Sequence, residues 1–136
     1  MIQYFYETDF SLQGEASFTQ WVCTVVKDEG RALDELNYIY CDDEYLLRIN
    51  QQYLGHDIYT DVIAFDNSID ESIVGDVFIS IERVVDNAEQ WGQNFQIELK
   101  RVMIHSVLHL LGYKDKVEDE RQLMREKEDF YLNLFP

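Results

Sequence analysis

The apolar positions of this chain change period several times, and each change marks an element. Ile2–Glu7 is aromatic and β-branched and predicts a strand. Phe18, Trp21, Val22 and Val25 recur at helical spacing, which predicts an amphipathic helix over 15–29 ending near Gly30. Leu36–Cys41 (LNYIYC) predicts a second strand. Asp42 is placed to cap a helix through DDEYLLRINQQYL, with Glu44 near the positive end of its dipole and Leu46, Leu47, Ile49, Asn50 and Tyr53 on one face. Asp61–Asp66 and Ile73–Ser80 predict two more strands, and the polar DNSIDES between them suits a hairpin, hence an antiparallel pair. Ser80 is placed to cap the helix IERVVDNAEQWG. A longer helix over Gln96–Leu111 stops at Gly112, where a left-handed residue closes a helix, and a last helix covers Val117–Leu134. The order β-α-β-α-β-β-α-α-α predicts an α+β fold. It is expected to be one domain over 1–136, with a mixed sheet of about four strands, helices packed on it, and a histidine-bearing helix in the C-terminal half.

Composition narrows the class. At 136 residues and 46% hydrophobic, the chain can build a core without disulfides. Cys23 and Cys41 form no CxxC pair and are expected to be reduced, buried thiols, which fits the cytoplasm. No apolar run is long enough to span a membrane, and the N-terminus lacks the charged and apolar regions of a signal peptide. The net charge of −16 argues against an extended electrostatic footprint on nucleic acid. Seven of the eleven Lys and Arg residues nevertheless lie between Lys100 and Lys127, around the histidines. Acidic residues at helical pair spacings in that segment also suit a solvated face.

The stretch His105-Ser-Val-Leu-His109-Leu-Leu-Gly112-Tyr-Lys-Asp115 carries the chemistry. Residues four apart share a helix face, so two imidazoles can converge on one cation. Gly112 allows the chain to turn back and bring Asp115 beside them. Three protein ligands with a fourth position open is the donor set of a catalytic zinc. The spacing repeats that of the extended zincin motif, but the general-base Glu that follows the first His in zinc peptidases is Ser106 here. Peptide hydrolysis therefore lacks its base. A pair of core histidines is the alternative explanation of His105 and His109.

These residues resemble the YbeY family, which carries His-Gly-x-Leu-His-Leu-x-Gly-Tyr-Asp-His where this chain reads HSVLHLLGYKD from His105. Thr60–Phe65 (TDVIAF) is similar to the family's Thr-Asp-Val-Leu-Ser-Phe, and Gly75–Ser80 (GDVFIS) to its Gly-Asp-Ile strand. Asn50 and Tyr53 match its Asn-x-x-Tyr element, and Met124 with Glu128 its Met-x-x-x-Glu ending. The resemblance spans nearly the whole chain in order. It departs at Asp115 for the third histidine, Lys114 for the preceding Asp, and Ser106 for Gly. It departs again at Tyr59 for Pro, Ala64 for Ser, and Leu54 for an Arg suited to clamping phosphate.

The resemblance implies a single-strand-specific, zinc-dependent endoribonuclease of rRNA maturation, at the 16S rRNA 3′ end and in ribosome quality control. It also implies one Zn2+ per chain, or another divalent transition metal. Its partners would be rRNA precursor and the ribosome or ribosome-assembly proteins. The expected ligands are His105, His109 and Asp115. Arg101, one turn before His105, is a candidate phosphate contact that, with His105 and His109, would make up the catalytic set; pairing with surface acids is its alternative. Thr60, Asp61 and Asp76 are candidates for supporting the site, one of the two Asp residues by orienting an imidazole. His56 is a candidate cleft residue. Whether water or the RNA 2′-hydroxyl attacks phosphorus stays open. So do a metal-dependent hydrolase of another substrate and a non-catalytic ribosome-assembly module with a bound metal.

Overall fold

In the computed structural model, which describes residues 1–56 and 58–136, the chain runs β1 (Ile2–Tyr6), α1 (Glu15–Asp28), β2 (Ala32–Cys41), α2 (Asp43–Ile49), one π-helical turn (Asn50–Leu54), β3 (Val62–Asp66), β4 (Ser72–Ser80), α3 (Ile81–Gln90), α4 (Phe95–Leu110) and α5 (Glu118–Leu132). The sheet order is β1-β2-β4-β3. β1 and β4 both lie parallel to β2, whereas β3 pairs antiparallel with β4 and forms an edge of the sheet. This is the expected α+β fold with a mixed four-stranded sheet, and the hairpin is antiparallel as its polar connection suggested.

Alternation along the strands separates two faces. Leu36, Tyr38 and Tyr40 of β2 and Val77 and Ile79 of β4 are completely buried on the helix-covered face. Against them lies α4, whose Leu99, Val102, Met103, Ile104, Val107, Leu108 and Leu110 are all buried. A helix apolar on nearly all sides must be enclosed, and α4 is packed by β3, β4, α1, α3 and α5. Tyr38 Oη donates to the Met103 carbonyl at 3.2 Å, and Trp21 Nε1 donates to the Tyr131 carbonyl at 2.7 Å, tying the sheet to α4 and α1 to α5. Gly75 marks the closest approach: a Cβ there would stand 2.9 Å from Leu110 Cδ1 and 3.0 Å from the Phe65 carbonyl oxygen. Only the missing side chain lets the C-terminal end of α4 settle on β4.

Three of the boundaries that differ from the sequence reading have a local cause. β2 begins at Ala32 rather than Leu36, because Ala32–Glu35 are held by pairing to Ser72–Val74 across a bulge, not by side-chain burial. The helix expected through Leu54 ends at Ile49 and widens into the π turn, which closes at Gly55 with φ 67°. There the buried Asn50 Nδ2 donates to the Ile58 carbonyl at 2.9 Å and the His56 N–H donates to the Asn50 carbonyl at 3.2 Å. α4 starts at Phe95 because Asn94 Oδ1 accepts from the Gln96 and Ile97 N–H groups.

Of the two cysteines expected to be buried, Cys41 is and Cys23 is not. Cys41 is fully buried, and burial, with Asp42, Asp43 and Glu7 nearby, pushes its thiol up to about 12. Cys23, on the outer side of α1, is exposed. Titration of the native protein with a thiol reagent at pH 8 is therefore expected to modify Cys23 rapidly and Cys41 only after unfolding. Gly75→Ala is expected to lower unfolding free energy by roughly 1–3 kcal/mol, as overpacking does, read from urea denaturation.

Candidate metal centre

Helix α4 delivers His105 and His109 one turn apart on the side that faces β3, and the turn after it delivers Asp115. That turn is fixed locally: the Gly112 N–H donates to the His109 carbonyl at 3.0 Å, the Tyr113 N–H to the Leu108 carbonyl at 3.0 Å, and Gly112 takes φ 108°. His105 Nε2 lies 2.9 Å from His109 Nε2. Asp115 Oδ2 lies 3.2 Å from His109 Nε2 and 3.4 Å from His105 Nε2. A tetrahedral ion with bonds of about 2.1 Å holds its ligand atoms about 3.4 Å apart, so these spacings fit one face of such a site with little movement. One proton could bridge two of the three atoms; a divalent ion satisfies all three. His105, His109 and Asp115 are thus a group able to hold a metal ion.

Both imidazoles are aimed from behind. His105 Nδ1 donates to Glu128 Oε2 at 2.6 Å, and His109 Nδ1 donates to the Tyr113 carbonyl at 2.9 Å. Each ring then presents an Nε2 lone pair to the centre, the arrangement found behind metal-bound histidines. Burial pulls the His105 imidazolium down, but the hydrogen bond and charge of Glu128, with Asp115 and Asp61, outweigh it and leave the pKa above its ordinary value. Glu128 is only 4% exposed and also accepts from Arg101 Nη1 at 2.9 Å. Arg101 Nη2 donates to Asp129 at 2.7 Å.

A basin of about 440 Å³ opens over the three donors, walled by Thr60, Asp61, Val62, Ala64 and Ser106. A smaller cavity of about 180 Å³ adjoins it across His105, lined by Asp61, Glu98, Arg101, Arg125 and Glu128. Burial pushes the carboxyls of Asp61 and Glu98 above their ordinary values; the charge of His105 opposes this at Asp61, while the charge of Asp61 adds to it at Glu98.

The sequence candidates therefore part company. His105, His109, Asp115, Thr60 and Asp61 meet at one basin. Arg101 borders the adjoining cavity but is engaged by two carboxylates, the surface-pairing alternative weighed from the sequence. Asp76 lies on the opposite face of the sheet, accepting from Asn37 and Asn67. His56 sits in an exposed loop away from both cavities. The two Nδ1–H groups donate to Glu128 and the Tyr113 carbonyl, not to Asp61 or Asp76. Glu128 was visible as part of a motif, but its role was not. The available signal was its place at the apolar spacing Met124–Glu128–Tyr131 of an otherwise acidic helix.

Glu128→Gln is expected to lower zinc affinity about 10- to 100-fold, the usual cost of losing the group behind a ligating histidine. Competition with a chromophoric chelator measures this, and an unchanged circular dichroism spectrum separates it from unfolding.

Comparison with known proteins bears on the whole chain. The family model described as "Endoribonuclease YbeY" matches residues 6–136. A protein named "Endoribonuclease YbeY" from Flavobacterium psychrophilum is 55% identical over 135 residues, covering 99% of this chain and 96% of its own. Its namesake from Bacteroides thetaiotaomicron is 46% identical over 111 residues, covering 82% of this chain and 81% of its own. The solution structure of TM1509 from Thermotoga maritima superposes with a TM-score of 0.68 at 29% identity, covering 98% of this chain and 87% of that one. With four strands in the same sheet, a histidine pair on the enclosed helix, and likeness from end to end, this chain belongs to the YbeY family.

Proposed function

We propose that this protein is a zinc-dependent endoribonuclease that cuts single-stranded RNA in rRNA maturation, at the 16S rRNA 3′ end, and in ribosome quality control. The observation that carries this reading is the convergence of His105 Nε2, His109 Nε2 and Asp115 Oδ2 within 3.4 Å of one another beneath an open basin. The names of its relatives supply RNA as the substrate class. Two imidazoles and a carboxylate suit zinc, with other divalent transition metals as competitors. Bound there, the ion would supply activation of water and polarisation of a phosphoryl oxygen.

The protein's own groups do the rest. Glu128 and the Tyr113 carbonyl hold the imidazoles in the tautomer that turns Nε2 inward. Asp61, partly buried at the shared wall of the two cavities, is placed to take a proton from a nucleophile in the basin. Arg101 acts as a positioning residue that fixes Glu128. Arg125 is the better phosphate contact, because it borders the cavity beside His105 and makes no ion pair among the described residues. The net charge of −16 disfavours long RNA as an unaided ligand, so recruitment by the ribosome or its assembly proteins accompanies this reading. Among the described residues no helix is long and apolar enough to cross a membrane, which suits work on ribosomal RNA in the cytoplasm.

Zinc-reloaded protein is expected to cleave a short unstructured RNA, and His109→Ala or chelation to stop it. One zinc per chain with no cleavage by wild type, alone or with ribosomal particles, removes the ribonuclease reading. Arg125→Ala is expected to raise KM roughly 10-fold, the value of one charge-assisted hydrogen bond, with zinc affinity unchanged.

A further inference from the structure

The face of the sheet turned away from α4 is only partly covered. α2 closes one end over Cys41, Leu46 and Ile63. Beside it lies a groove of about 410 Å³ lined by Tyr45, Tyr53, Phe65 and Phe78, with Asn67 and Asp76 as its polar lining. Phe65 and Phe78 meet edge to face at 5.8 Å, Tyr45 stacks near Phe78 at 6.4 Å, and Tyr53 meets Phe65 at 5.9 Å. The π turn holds Tyr53 out at 60% exposure, so its ring is open to a further stacking partner.

We infer that this groove takes an unpaired nucleobase carrying an amino group, guanine first, from the same RNA strand whose backbone crosses the metal basin. The inference rests on the ribonuclease reading above and assigns that reading a base subsite. Three observations select this occupant. First, the polar lining needs donors. Asp76 accepts from Asn37 at 2.9 Å through one oxygen and from Asn67 at 3.3 Å through the other, which leaves acceptor sites on both. An apolar protein side chain seated here would bury those sites unpaired, at a cost. Guanine offers N–H groups at N1 and N2, and cytosine offers N4–H₂. Uracil offers one N–H between two carbonyl oxygens that the carboxylate repels.

Second, the surroundings exclude phosphate. Asp76 lines the groove and the molecule carries −16, so a nucleotide enters base first with its backbone outside. Aromatic walls then contribute by stacking. Third, the groove and the metal basin are the two sides of one strand. Ala64 faces the basin and its neighbour Phe65 faces the groove, and β3 is an edge strand of the sheet. A single strand can turn around that edge with its phosphate on one side and an adjacent base on the other; a duplex cannot. This gives single-strand preference a geometric origin.

The test titrates ¹⁵N-labelled full-length protein with guanosine, cytidine and uridine 5′-monophosphates, alongside Tyr53→Ala and Tyr53→Phe. Guanosine monophosphate is expected to shift the side-chain amide signals of Asn67 and Asn37 saturably, and uridine monophosphate far more weakly. Tyr53→Ala is expected to weaken guanosine monophosphate about 10-fold, within the range for one base stack, while Tyr53→Phe preserves it. Asp76→Asn is expected to remove the base preference. Shifts confined to the metal basin, or groove shifts indifferent to the base, overturn the inference. So does self-association that depends on Tyr53 with no nucleotide response. Base-selective groove binding without cleavage of any RNA supports the subsite and removes the ribonuclease reading. Cleavage with an unresponsive groove does the reverse.

Discussion

A carboxylate buried to 96% has to be paired, and the pairing of Glu128 sets the candidate centre. One oxygen accepts from Arg101 and the other from His105 Nδ1 at 2.6 Å. Removing Arg101 would leave that carboxylate with only the imidazole's hydrogen bond in a poor dielectric, a loss of about 3–5 kcal/mol in comparable pairs. The pair therefore does two things at once. It docks α5 against α4, and it settles which nitrogen of His105 carries the proton. The tautomer follows from the acceptor, since an ionised carboxylate can only accept.

The second imidazole is aimed through a different path that reaches farther across the fold. His109 donates to the Tyr113 carbonyl, and the Tyr113 hydroxyl donates to Glu29 at 2.5 Å. Glu29, at the end of α1, also accepts from the Tyr131 hydroxyl and from Lys127 at 3.0 Å. Burial pushes Glu29 up, but these three donors outweigh it and hold its pKa below the ordinary value. Residues from α1, the turn after α4, and α5 thus meet on one carboxylate. The turn that carries Asp115 is anchored at that point. The enclosed α4 supplies stiffness and the two carboxylates, Glu128 and Glu29, supply aim. Rigid elements with supporting hydrogen bonds are what a metal constellation requires.

Much of this was legible before any coordinates. Strand and helix periods located the four strands and five α-helices of the described residues, and the polar DNSIDES identified the antiparallel hairpin. The histidine spacing and Gly112 forecast the convergence on Asp115. What stayed hidden was long-range. Nothing local pairs Arg101 with residues 27 and 28 positions later, or places Asp76 on the far face from His105 while Asp61 comes beside it. Alternation says that neighbouring strand residues diverge, but not which face a helix will cover. The π turn was hidden too, because five residues of NQQYL carry no pattern that separates it from a continuing α-helix.

Charge gives the remaining step. Of the positive residues clustered after Lys100, Arg101, Arg121 and Lys127 are paired with carboxylates, and Lys100 lies over the Phe135 ring at 4.0 Å. Three of the seven cations that the sequence clusters there are therefore neutralised in the fold. Leu54 stands where the family resemblance calls for an arginine, on the π turn beside Tyr53 and partly exposed. A chain that has an apolar residue there and pairs Arg101 inward retains Arg125 as the guanidinium at the cavity edge. On the proposed ribonuclease reading, phosphate attraction would fall to Arg125, to the exposed Lys114 and Lys116 beside Asp115, and to a bound cation, all of them short-ranged under physiological salt. On the ribonuclease reading proposed above, such a site would hold a short strand whose bases find their own contacts, with its delivery left to the proposed ribosomal partner.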